Sequence, residues 1–124
     1  MSRHRGNLAE QQALHYLQRQ GLQLIVQNFQ ARCGEIDLIM RDGKTLVFIE
    51  VRQRANSRYA RAAHTIDRHK QRRIANTAAF FLQKHPVFQQ NICRFDVITF
   101  DGFIGSDTRP TWIQAAFSRS QTLR

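Results

Sequence analysis

The chain has 124 residues, enough for one domain that buries a core without disulfide or metal staples. Its 19 Lys and Arg against 9 Asp and Glu leave a formal charge of +10, and 42% of the residues are apolar. No apolar run approaches membrane-spanning length, no apolar leader core follows the basic Met1–Arg5, and Cys33 and Cys93 lack partners at metal-site spacing, so the composition argues against a membrane protein, a secreted protein and a zinc site, and for a cytoplasmic protein with reduced, partly buried cysteines.

A first helix is predicted from Gly6 to Arg19, because Ala9, Ala13, Tyr16 and Leu17 share one face. Gly21 is placed to end it, just past the cap. Leu22 to Phe29 reads as a strand. Gly34–Met40 and Thr45–Arg52 then read as the arms of a hairpin joined through Asp42-Gly43, a pair suited to a type I′ turn. Gln53 to Ala63 is a polar loop rich in arginine. A second helix is predicted from Thr65 to Lys84, capped by Thr65 or Asp67 and closed by Pro86, with Ile66, Ile74, Ala78 and Phe81 on its apolar face. Arg94–Phe100 is a further strand and Thr111–Ala115 a shorter one. The order α-β-β-β-α-β-β predicts a single α/β domain over residues 1–124, a mixed sheet flanked by helices.

Sixteen of the nineteen cations are arginine. The guanidinium fork matches phosphate oxygens and keeps its charge, so the excess reads as the footprint of a nucleic-acid binder. An anionic membrane would want these charges on one amphipathic helix, and they are spread along the chain. A merely soluble basic protein remains open. Arg54, Arg58 and Arg61 in the loop, with Arg72 and Arg73 on the second helix, are the candidate phosphate contacts.

The hairpin holds the candidate chemistry. Along its second arm Leu46, Phe48, Glu50 and Arg52 point one way and Val47, Ile49 and Val51 the other. With Asp42-Gly43 as the two-residue turn, Asp37 faces Phe48, Glu35 faces Glu50, and Asp37 and Glu50 become diagonal neighbours on one face. Like charges this close are unfavourable until a counter-charge joins them. Mg²⁺ or Mn²⁺ takes oxygen ligands of this kind and activates phosphodiesters, and Arg52 would touch the same phosphate. Asp37, Glu50 and Arg52 are expected to project together into a concave basic surface. The spacing equally suits a solvated sheet face on which Arg52 and Arg94 balance the carboxylates.

Gly34-Glu35-Ile36-Asp37-Leu38-Ile39 and Phe48-Ile49-Glu50-Val51-Arg52-Gln53-Arg54 resemble the signature of the bacterial YraN-like family. Gly6, Ala9-Glu10 and Ala13, Asn28-Phe29, Lys70-Gln71-Arg72-Arg73, Arg94-Phe95-Asp96-Val97 and Trp112–Phe117 fit the same pattern, so the resemblance covers nearly the whole chain. That family is similar to the PD-(D/E)XK nucleases and, within them, to archaeal Holliday-junction resolvases. The resemblance implies a restriction-endonuclease-like fold and a Mg²⁺- or Mn²⁺-dependent endonuclease acting on structured or branched DNA, working as a homodimer. It implies metal ligands at Asp37 and Glu50, the basic position at Arg52, and an additional helix carboxylate at Glu10, which otherwise reads as an ordinary exposed residue. The superfamily has lysine where this chain has Arg52. Arginine holds phosphate but does not act as a general base. Lys70 is the candidate to compensate, or else a lysine that snorkels out of the apolar stripe between Ile66 and Ile74. A nucleic-acid-binding module without catalysis is the alternative function.

Overall fold

The structure, a computed structural model, describes residues 2–54, 66–101 and 109–118; the side chains of residues 2–7 and 54 lie outside that description. Helix α1 spans Ser2–Arg19, starting before the expected Gly6. It ends in a Schellman turn. Leu22 N–H donates to the Leu17 carbonyl at 3.1 Å, Gly21 N–H donates to the Gln18 carbonyl at 3.0 Å, and Gly21 takes φ 100°. Leu17 and Leu22 are buried in the same cluster, which locks the exit into strand β1 (Gln23–Ala31).

Strands β2 (Gly34–Asp42) and β3 (Thr45–Arg54) follow, then helix α2 (Arg68–Lys84), a 3₁₀ turn at Pro86–Phe88, and strands β4 (Ile92–Asp101) and β5 (Thr111–Phe117). The sheet order is β1-β2-β3-β4-β5. Only β3 and β4 run parallel among the described strands, because the α2 crossover separates them, so the sheet is mixed as expected. Asp67 caps α2, its Oδ1 accepting from the Lys70 N–H at 2.8 Å, while Thr65 lies outside the described residues. Cys93 is exposed, against the partial burial expected of it, and Cys33 is half-buried.

The two helices cover opposite faces of the sheet. Ala9, Ala13, Leu14 and Leu17 of α1 pack on Leu38, Met40, Val47 and Ile49. Ile74, Ala75, Ala78 and Phe81 of α2 pack on Ile36, Ile39, Leu46 and Phe48. Alternation along β3 sends Val47 and Ile49 to one layer and Leu46 and Phe48 to the other.

The hairpin turn corrects the expected register. Asp42 pairs with Thr45, so the central residues are Gly43 and Lys44. Gly43 has φ 62° and is the one of the two with positive φ, which suits a type II′ turn; type I′ needs both. Asp42 is thereby free to accept from Arg94 Nη2 at 3.2 Å. The pairing moves by two positions from the expected one, so each side chain keeps its face but changes its partner.

Candidate functional site

The β2–β3 ladder runs from Asp42–Thr45 to Leu38–Ile49. Continued one step, the same register sets Asp37 opposite Glu50, not opposite Phe48. β3 itself stays paired with β4 as far as Arg54–Asp101. Beyond Ile49 a side chain takes over from the ladder: the Val51 N–H donates to Asp37 Oδ2 at 2.8 Å. Asp37 and Glu50 are only 8% and 7% exposed. This is the fork of the hairpin, and a residue from each helical layer reaches it. From α2, Lys70 Nζ lies 2.6 Å from Glu50 Oε2, and Arg52 Nη1 stands 3.9 Å from the same oxygen. From α1, Glu10 reaches the same cleft as Asn28 and Asp37 and interacts with both.

Lys70 offsets Glu50, but the electrostatics at Asp37 remain unfavourable. Burial pushes the Asp37 carboxyl up to about 8, and the Glu50 charge adds to that; the Val51 N–H opposes the rise and Glu10 reinforces it. Glu10 is also raised, by burial first, with Asn28 and Asp37 opposing and Glu35 and Glu50 adding. At neutral pH the cluster therefore keeps a proton where two carboxylates meet. Glu10 Oε1 is buried and has no hydrogen-bond partner. Carboxylate oxygens, one of them orphaned, are the donor chemistry that Mg²⁺ or Mn²⁺ takes, so Asp37, Glu50 and Glu10 fit such an ion. Among the described residues no group of three or more His, Cys, Asp or Glu is placed to hold a metal ion as the side chains lie, so the fit is one of donor chemistry. Water and phosphate would complete the shell, as is usual for Mg²⁺.

Asp37, Glu50, Arg52, Lys70, Arg73 and Glu10 line one cleft of about 730 Å³. Gly34 helps set its wall. Its φ is 151°, and a Cβ there would meet Thr77 Oγ1 at 3.1 Å, so the β1–β2 turn presses directly on α2. The cleft is concave as expected but not basic. Arg52, Lys70 and Arg73 face four carboxylates once Glu35 is counted with Glu10, Asp37 and Glu50. Arg72 is exposed and does not line the cleft. The Arg54 side chain, Arg58 and Arg61 lie outside the described residues. Arg94 does not balance Asp37 or Glu50, as the solvated-face alternative required; it pairs with Asp96 and Asp42.

Two contributors escaped the sequence reasoning. The Val51 amide joins the site through its backbone and carries no sequence signal. Asn28 takes φ 56° within β1. Asparagine tolerates left-handed backbone better than the three glutamines that share β1 with it, and that was the available clue.

A family model described as "Uncharacterised protein family UPF0102" matches residues 9–100. A UPF0102 protein of Psychromonas ingrahamii is 51% identical over 116 residues, covering 94% of this chain and 91% of its own. One from Alkalilimnicola ehrlichii is 50% identical over 113 residues, covering 91% and 86%. A third, from Pseudomonas fluorescens, is 42% identical over 116 residues, covering 94% of each chain.

Proposed function

The chain belongs to the UPF0102 family, and we propose that it is a divalent-metal-dependent endonuclease acting on structured or branched DNA. The observation that supports this best is the forced meeting of Asp37 and Glu50 at the fork, where a buried like-charge pair holds a proton until a cation offsets it. On this reading the mixed sheet and its helices are a restriction-endonuclease-like core. Asp37, Glu50 and Glu10 would hold Mg²⁺ or Mn²⁺.

Such an ion would supply Lewis acidity to a phosphodiester and make a water molecule more acidic. Asp37 would give its proton to solvent on taking up the ion, and Glu50 would be the second carboxylate to hold it. Arg52 grips the scissile phosphate and stabilises developing charge; its guanidinium has donors only, so it takes no proton. Lys70 reaches the fork from α2 instead of from β3, and its ammonium, unlike a guanidinium, can exchange a proton. Arg73 on the cleft wall, Arg72 beside it, and Arg54, Arg58 and Arg61 contact flanking phosphates. Two copies related by a twofold axis would cut a junction symmetrically.

The test is incubation of the chain with flap, junction and single-stranded DNA in Mg²⁺, Mn²⁺ or EDTA. Metal-dependent cleavage of a branched substrate is expected, and Glu50→Gln should abolish it. Binding of DNA with no cleavage of any substrate in either metal points to the second reading, a binding module without catalysis. Two observations favour that alternative: arginine at position 52, and the Lys70 bridge that already neutralises Glu50.

A further inference from the structure

We propose that Asn28 is a positioning residue of the fork, whose left-handed backbone and carboxamide together hold the Glu10 carboxylate where a cation would sit. This rests on the metal-site reading above and extends it to a residue on β1. The ladder pairs Gln27 with Leu38 and Phe29 with Ile36, which sets Asn28 opposite Asp37. There the strand departs from extended geometry: Asn28 has φ 56°, one of only two non-glycine residues with positive φ among those described. Residues held this way cost free energy and cluster at functional sites, and asparagine tolerates the conformation better than most. The distortion has a geometric consequence. Asn28 lines the cleft instead of continuing the strand pattern, and its carboxamide shares that cleft with the Glu10 carboxylate, on which it acts.

Glu10 needs such a guide. It reaches the fork from α1, across the layer boundary, on a side chain with three rotatable bonds. A free glutamate at that position would turn to water. Beside Asn28 and Asp37 it stays turned inward, with Oε1 buried and unpartnered. Outer contacts of this kind orient a ligand, and their loss typically weakens metal binding about 10–100-fold.

The backbone and side-chain contributions separate in one variant. Asn28→Gly keeps the left-handed conformation without strain and deletes the carboxamide. Mn²⁺ is titrated calorimetrically into the wild-type chain, Asn28→Gly, Glu10→Ala and the double variant, with thermal melts of each. Asn28→Gly should melt as the wild type does and bind Mn²⁺ about 10–100-fold more weakly. The double variant should be no weaker than Glu10→Ala, because Asn28 acts through Glu10. Wild-type Mn²⁺ affinity in Asn28→Gly overturns the proposal, as do losses that multiply in the double variant. Unfolding of Asn28→Gly also overturns it, since the side chain would then serve the fold. A wild-type chain that takes no Mn²⁺ overturns the metal-site reading itself, and this proposal with it.

Discussion

Asp96 and Asp37 are both buried aspartates in one sheet, on strands two apart, and the fold treats them in opposite ways. Asp96 is surrounded by donors. Arg94 Nε reaches its two oxygens at 2.9 and 3.2 Å, Arg94 Nη2 bonds at 3.0 Å, Trp112 Nε1 at 2.9 Å and the Ala115 N–H at 3.0 Å. The backbone bends to deliver the last of these, with Ala115 at φ 52°. Asp37 receives one backbone N–H and is otherwise set among carboxylates. Burial does not separate a structural acid from a chemical one. The sign of the groups around it does, because a carboxylate ringed by donors is satisfied and one ringed by acceptors waits for a cation or a proton.

The comparison breaks most visibly if Asp96 is removed. Asp96→Ala strips acceptors from Arg94, Trp112 and Ala115 and should lower the unfolding free energy by about 3–5 kcal/mol in urea. Mn²⁺ affinity per folded molecule should not change. The opposite sign is expected at the fork. Asp37→Asn keeps an oxygen for the Val51 N–H and removes one of two crowded charges, so at pH 8 the metal-free chain should gain about 1–4 kcal/mol while metal-dependent cleavage falls to background. A loss of stability in Asp37→Asn would erase the distinction between the two aspartates.

A pH series sharpens the same contrast. The Asp37 carboxyl is raised from 3.8 to about 8, so between those values the folded chain holds more protons than the unfolded one. Its contribution is therefore full below about pH 4 and is lost as pH rises towards 8. The metal-free melting temperature should fall across that window, and Asp37→Asn should flatten the fall. Mn²⁺ at about a hundred times its dissociation constant should restore about 2.7 kcal/mol at pH 8. The smallest effect concerns the cations. Arg72→Ala with Arg73→Ala should weaken DNA binding about equally for all sequences and reduce the salt slope by about one per residue. An unchanged slope would remove α2 from the phosphate track.

Much of this was legible from residue order. Periodicity and turn chemistry located both α-helices and the five described strands, but not the 3₁₀ turn at Pro86–Phe88. Face assignment on the hairpin also survived, although its pairing did not. Gly43 suits either turn type, and what decides between them is which residues close the ladder. Lys70 was marked by its spacing from Ile66 and Ile74, but its contact with Glu50 depends on how far α2 leans over the fork. Glu10 entered through family resemblance alone, because nothing in helix periodicity shows that a gap in the sheet admits it. The cleft's balanced charge was hidden for the same reason. Net charge counts residues and does not say which of them share a wall.

The Val51 amide has a property that does not depend on any activity. It is the first β3 donor past the end of the β2 ladder, and the acceptor it uses is the Asp37 side chain. Its hydrogen exchange therefore clocks the fork and not the sheet. While Asp37 stays in place, this proton should persist like its neighbours; when Asp37 swings towards a ligand or is replaced by alanine, it should exchange within the time that Ile49, held in the ladder, remains protected. One backbone proton thus gives a label-free reading of when the site is open.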